Sequence, residues 1–371
     1  MKKQLLLIGG GHAHMVTLAN LDTFISKGYG VTVIQPSEYH YYSGMGPGML
    51  GGTYKPDEIR FATRQLVEAK GGRFILGKAF KIDPEKQVVY LEETEEPIPY
   101  DVLSCNAGSF VPREMIQGNS DNIFTAKPIE ELLVAQKRVL ECAAAGKVTI
   151  AVIGSGPSSL EIAGNIHQLC RKKAVTMPAI RIFGGRIFLS GRPERVRRLA
   201  REILSQKGVE IIENGYVKQI DNGRVVLENG QEYTADIIFP SVGVKPSPIF
   251  ARSGLPVGPD GGLRVNEYLQ SVGHTNIFGG GDCIYFGPAP LDKVGVYAVR
   301  QNPVLYRNLL ASLENGTLEK FQPGGKYLLI YNLGEGEGIL SKWFITFSGK
   351  LAFYLKDRID RRFIRTYQDT Y

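Results

Sequence analysis

The chain has 371 residues, enough for two domains, with ordinary hydrophobic content and 44 glycines, which marks a chain of many tight turns rather than a disordered or fibrous one. Its net charge of +7 attracts anionic partners, yet no stripe of interleaved basic and aromatic residues supports nucleic-acid binding. Four widely spaced cysteines form no CxxC or CxxxxC, which argues against a local redox disulfide or zinc knuckle and fits a reducing cytoplasm.

The first apolar run, Leu5 to Ile8, is short and ends in Gly9-Gly10-Gly11-His12-Ala13-His14. It is too short for a signal peptide or a membrane span and reads as a buried strand. A glycine turn that closes a strand and opens a helix permits a sharp bend at Gly9. Gly11 lets backbone approach a pyrophosphate, on which the helix N-terminus then points. The helix is predicted from His12 to Lys27, with Val31–Ile34 as the next strand. The position that normally holds a ribose-binding acid holds Gln35. An amide there is expected to bond a ribose less strongly than a carboxylate.

His40-Tyr41-Tyr42-Ser43-Gly44-Met45-Gly46-Pro47-Gly48 reads as a loop closing over a flat ring system. A β-rich stretch leads to Tyr100–Cys105, a buried strand that ends at Asn106-Ala107-Gly108. An amphipathic helix is expected over Ile129–Ala145.

About 145 residues after the first turn comes a second, Gly154-Ser155-Gly156-Pro157-Ser158-Ser159, after strand Val148–Ile153. Its helix is expected over Ser158–Leu169. The third glycine of the pattern is replaced in both turns, by His14 and Ser159. The second unit's strand, Ala179–Phe183, ends in Gly184-Gly185-Arg186 where an acid would select NADH. Arg186 is either a contact for an NADPH phosphate or a solvated surface residue. Asn222-Gly223 and Asn229-Gly230 mark hairpins. Ala235–Gly243 then repeats the acid, strand and glycine turn of Tyr100–Gly108, so the chain holds two similar domains. Two such turns in one chain suit a protein that passes electrons between two dinucleotides.

With these residues in view, the chain resembles the two-dinucleotide-binding flavoproteins of the pyridine nucleotide–disulfide oxidoreductase superfamily. The most specific match is Asn276-Ile277-Phe278-Gly279-Gly280-Gly281-Asp282-Cys283. Within that superfamily it is similar to type II NADH dehydrogenases and to dehydrogenase-like flavoproteins found alone or fused to selenide, water dikinase. That similarity rests on Gly9–His14, Tyr42–Gly48, Lys293–Gln301 and Lys356–Phe363.

The resemblance implies an α/β fold with two Rossmann-like domains, glutathione-reductase-like, the second inserted in the first. Residues 1–111 and 247–322 would bind FAD and 112–246 NAD(P)H, with an α+β segment at 323–371. FAD would contact Gly9, Gly11, His12, Ala13, His14, Gln35, Pro47, Ala107, Gly108, Gly281, Asp282 and Lys293. NAD(P)H would contact Gly154, Gly156, Pro157, Ser158, Glu161 and Gly243. Glu161 matches a carboxylate near the nicotinamide. Lys293, Tyr297, Arg300 and Gln301 are expected near the flavin's pyrimidine end or the acceptor. Of these, Lys293 and Gln301 join Glu161 as catalytic candidates.

The early cysteine pair of disulfide reductases is absent, and Val296 and Arg300 stand where type II dehydrogenases offer two glutamines to quinone. The expected activity is electron transfer from NAD(P)H through FAD to an acceptor such as a membrane quinone. The alternatives are a sulfide- or selenium-linked flavoprotein, or a flavin-binding partner with little turnover. No metal site is expected from the five scattered histidines.

At the far end Leu351, Leu355, Ile359, Phe363 and Tyr367 recur every four residues among arginines, downstream of Trp343 and Phe344. This basic amphipathic helix is expected at a membrane surface on the cytoplasmic face, with segment 341–371 as the contact. The alternatives are docking on the body of the protein or on a second subunit in a homodimer.

Overall fold

The computed structural model describes residues 2–118 and 121–368. Continuous apolar runs, rather than alternating ones, build two parallel sheets covered on both faces. The first has the spatial order Ile277–Gly279, Val102–Cys105, Gln4–Ile8, Gly30–Gln35, Arg73–Leu76, all parallel. Its strands come from both ends of the chain. The second has the order Glu210–Ile212, Ala179–Phe183, Thr149–Ile153, Ile237–Pro240, also parallel, and comes wholly from the middle.

Each sheet carries an antiparallel accessory sheet. The first is Ala79–Asp83, Val88–Leu91 and Ile98–Pro99. The second is Val217–Asp221, Arg224–Leu227 and Glu232–Thr234, with Ile116–Gln117 added in parallel to its first strand. The predicted Asn222-Gly223 turn joins Asp221 to Arg224, with both turn residues at positive φ (45° and 79°). A three-stranded antiparallel sheet, Leu329–Asn332, Gly338–Lys342 and Ile345–Gly349, precedes the C-terminal helix Lys350–Gln368.

Three sequence expectations are corrected. The first helix is not continuous: it starts as a 3₁₀ turn at His12–His14 and breaks at Asn20, between Met15–Ala19 and Leu21–Ser26. Asn20 Nδ2 donates to the Val16 carbonyl at 2.8 Å, a side-chain bond that competes with the backbone ladder. The aromatic and glycine-rich segment is not an open loop. It is a 3₁₀ turn at Ser43–Met45 running into helix Gly46–Leu50, with Pro47 in the first turn and all of Met45–Leu50 buried.

The C-terminal helix is offset from its predicted stripe. Ala352, Lys356, Asp360 and Ile364 face inward, whereas Leu351 and Ile359 face outward. The helix thus docks on the body of the protein through a face that includes an ion pair, which a search for apolar periodicity skips. The last three residues of the 341–371 segment lie outside the described residues.

Candidate functional site between the two glycine turns

The first turn is held by Asn106. Gly9 has φ +84°, and a Cβ on it would lie 2.3 Å from the Asn106 carbonyl oxygen. A Cβ on Gly11 would lie 2.1 Å from Asn106 Oδ1, so glycine is required at both places. Asn106 Nδ2 donates to the Gly280 carbonyl at 2.9 Å and ties this turn to the late Gly-Asp motif. The sequence placed Asn106 in this turn, but only its neighbours Ala107 and Gly108 were expected to touch the cofactor.

Gln35 is engaged within the protein. Its Oε1 accepts from Gly10 N at 2.8 Å, and its Nε2 donates to the Ser37 and Tyr39 carbonyls at 2.7 and 2.8 Å. Both ends of the amide are engaged in shaping the turn. His14 fills the space of the missing third glycine. Its Nδ1 lies 2.6 Å from the Gly9 carbonyl and its Nε2 2.7 Å from Ser104 Oγ. Burial lowers its pKa to about 4, so the ring is neutral near pH 7.

His12 sits in an aromatic cage of His40, Tyr42 and Phe363, with ring centroids 5.0, 5.2 and 5.7 Å away. His12 Nδ1 is 3.2 Å from His40 Nε2. Burial lowers the His12 pKa to about 4 and holds His40 well below its ordinary value. His12 Nε2 is buried and has no hydrogen-bond partner among the described residues.

Asp282 lies within electrostatic reach of His12. Its Oδ2 accepts from Lys127 Nζ at 2.5 Å and from Ser109 Oγ at 2.8 Å. Burial pushes its carboxyl up, but Lys127 and Ser109 outweigh that, and the net shift is downward. Lys127 was missed because it stands alone in sequence, beside Pro128 and far from either glycine turn.

Helix Gly295–Glu314 supports the same corner. Gln301 is buried, and its Oε1 accepts from Gly281 N at 2.7 Å, so this predicted catalytic residue positions the Gly-Asp turn. Lys293 is paired with Asp260 at 2.7 Å and also donates to the Ile284 carbonyl. Its charge is therefore already partnered. Arg300 points to the Pro323 and Gly325 carbonyls and not to the site's interior.

At the second turn Gly154 has φ +144°, and a Cβ on it would lie 2.2 Å from the Ser241 carbonyl oxygen. Gly156 faces open space. It caps helix Pro157–Lys172, and the hydroxyls of Ser159 and Ser241 are buried beside the turn without partners among the described residues. Pro157 and Ser158 open that helix, and Gly243 (φ +94°) lies in the turn that follows strand Ile237–Pro240.

Glu161 leaves this helix toward the C-terminal segment. Its Oε1 accepts from Asn332 N at 2.8 Å. Burial raises its pKa to about 7, opposed by the nearby Lys356. Lys356 pairs with Asp360 at 2.6 Å and donates to the Gly44 carbonyl at 2.8 Å, while Tyr42 donates to Asp360 at 3.0 Å. The C-terminal helix thus locks the segment Tyr42–Gly48 in place. The match to Lys356–Phe363 was visible in sequence, but not the ion pair's inward placement.

Cys105, Cys170 and Cys283 are buried, and burial raises the thiol pKa of Cys170 to about 11 and of Cys283 to about 12. Thiols held protonated are poor nucleophiles.

Two parallel Rossmann sheets, each with a glycine turn at its strand ends and the first completed by a Gly-Asp motif, define an α/β fold of the two-dinucleotide-binding-domain class. Comparison with known proteins agrees: residues 3–303 match the pyridine nucleotide-disulphide oxidoreductase family model. The chain belongs to that family. Ferroptosis suppressor protein 1 of Xenopus tropicalis is 26% identical over 365 residues, covering 92% of this chain and 91% of that protein. The type II NADH:quinone oxidoreductase of Staphylococcus aureus (strain NCTC 8325 / PS 47) is 25% identical over 399 residues, 97% and 95% of the two chains. Among solved structures, NDH2 from Plasmodium falciparum in complex with NADH superposes with TM-score 0.83 at 15% identity, covering 99% and 97%. The sulfide:quinone oxidoreductase of Aquifex aeolicus gives TM-score 0.79 at 22% identity, covering 99% and 92%.

Proposed function

We propose that the protein is an FAD-dependent NAD(P)H:acceptor oxidoreductase without a redox-active disulfide, and that its acceptor is a quinone reached from a membrane surface. The observation that carries the reading is the paired construction: one glycine turn tied through Asn106 to Gly281-Asp282, the other open at Gly156. Bound FAD would supply the two-electron chemistry at its ring. The unpartnered His12 Nε2, the Asp282–Lys127 pair and the glycine turn suit the ring-proximal, ribityl and pyrophosphate parts of such a molecule. Glu161, which the resemblance would place near the nicotinamide, is a buried proton-holding group beside the mutually neutralising Lys356–Asp360 pair.

Membrane contact has its own support. Trp343 and Phe344 form the tip of a hairpin and are 63% and 87% exposed. Leu351, Tyr354 and Ile359 extend the apolar surface along the C-terminal helix, with Arg358, Arg362 and Arg365 also exposed on it. Exposed aromatics beside arginines suit an anionic lipid interface. Among the described residues no helix is long and apolar enough to cross a membrane.

Anaerobic mixing of the flavin-loaded protein with NADH or NADPH tests the reading. Bleaching of the flavin absorbance, then recovery on adding a soluble quinone, is expected. Bleaching by sulfide and by neither nicotinamide would replace it with the sulfur-linked alternative.

A further inference from the structure

We infer that the second Rossmann site selects a dinucleotide carrying a phosphate on its adenosine ribose, and that Arg186 is the selecting residue. The inference rests on the reading that a pyridine nucleotide binds there. Gly154 N donates to the Phe183 carbonyl at 3.0 Å, as Gly9 N does to the Ile34 carbonyl at 2.8 Å in the first unit. This equivalence makes Gly184 the counterpart of Gln35, the position whose side chain meets the adenosine ribose in a Rossmann unit. An acid there binds the 2′-hydroxyl and repels a 2′-phosphate; glycine does neither.

The adjacent strand end does not replace the missing acid. Glu213 follows Glu210–Ile212, but Oε1 accepts from Phe188 N and Arg201 Nη2, both at 2.7 Å, and Oε2 accepts from Arg201 Nη1 at 2.5 Å. The fork neutralises this carboxylate within the protein.

What the strand end does offer is a guanidinium. The Arg186 side chain is 74% exposed and lies over the Tyr216 ring, 5.9 Å from its centroid. Tyr216 packs against Gly185 (φ +71°), where a Cβ would lie 2.7 Å from the ring. Glycine at 185 therefore lets the aromatic and the guanidinium gather at the strand end. Arg186 is in ion-pair range of Glu228 at 3.6 Å, a long contact between exposed groups that contributes little and yields to a phosphate. Arg192, in the same loop, is electrostatically coupled to Tyr327 and Tyr331, so it faces the C-terminal segment rather than this end.

The test is anaerobic flavin reduction by NADPH and by NADH in the intact, flavin-loaded protein, with adenosine 2′,5′-bisphosphate and 5′-ADP as competitors. NADPH is expected to be favoured by about tenfold or more in kcat/KM, and only the 2′-phosphorylated competitor should inhibit strongly. Arg186→Ala should remove the preference by raising KM for NADPH while leaving NADH unchanged, and Arg186→Lys should restore part of it. Equal or better use of NADH by the wild type, or an Arg186→Ala loss shared by both donors, would overturn the inference. Reduction by neither donor would overturn the pyridine nucleotide reading itself, and this inference with it.

Discussion

Lys127 Nζ lies 2.5 Å from Asp282 Oδ2, and the two residues are 155 positions apart in the chain. Lys127 follows the strand–loop that enters the second Rossmann unit, and Asp282 closes the first. The pair therefore couples the two halves at the place where they must be held in register.

Replacing Lys127 by Met strands the Asp282 carboxylate. Lys127 retains 27% of its side-chain exposure, so the loss should be below that of a fully buried pair, about 1–3 kcal/mol. Thermal unfolding should show the drop, together with weaker retention of flavin absorbance on dialysis. Adding Asp282→Asn to the same chain should recover part of the melting temperature. An unchanged melting temperature in Lys127→Met would show that the pair stabilises nothing.

Acid should attack the first glycine turn through its histidines. His12, His14 and His40 are buried with pKa values pushed below 6.5 by desolvation. The unfolded chain then binds more protons than the folded one as pH falls, so the stability they hold is present above 6.5 and lost toward 4. Denaturant midpoints measured from pH 7.5 to 4.5 should fall more steeply than in His14→Gln. Parallel profiles for the two proteins would reject this origin.

Glu161 runs the other way. Its pKa is raised from 4.5 to about 7, so its protonated form is favoured in the fold. That contribution is full below 4.5 and is lost as pH rises through 7, at a cost of a few kcal/mol at most. Glu161→Gln keeps an oxygen for Asn332 N and lacks the titration. Wild type should therefore lose stability relative to this variant between pH 5 and 8. A pH-independent difference would mean the carboxyl is not desolvated.

The two glycine turns should respond differently to a methyl group. In Gly11→Ala the new Cβ meets Asn106 Oδ1, so flavin retention and stability should both fall. Gly156 faces open space in extended backbone, φ −97° and ψ 176°, so Gly156→Ala should fold and keep flavin. It should lose reduction by NAD(P)H, because the methyl occupies the approach to a pyrophosphate. Normal reduction kinetics in Gly156→Ala would place the nucleotide elsewhere.

The hairpin tip should govern membrane association. Trp343→Ser with Phe344→Ser removes two exposed aromatics without touching the buried face of the C-terminal helix. Flotation with vesicles containing anionic lipid should fall severalfold, with flavin content unchanged. Equal flotation of variant and wild type would remove the membrane contact from the proposal.

Much of this protein was legible before folding was considered. Glycine turns announce themselves because backbone geometry leaves no other residue acceptable, as Asn106 crowding Gly9 and Gly11 shows. Buried parallel strands announce themselves as unbroken apolar runs, and Asp282 stood in a motif long enough to be specific.

Tertiary structure alone decided which polar groups are free. Gln35 looked available and is bonded at both ends; Lys293 looked like a free cation and is paired with Asp260. Lys127 and Asn106 looked unremarkable and hold the site together. The helix at Lys350–Gln368 announced an amphipathic face, but which face turned inward depended on Gly44, Tyr42 and Glu161 waiting opposite. A local pattern records the backbone's needs, whereas a side chain's charge and hydrogen bonds are fixed by partners that sequence distance conceals.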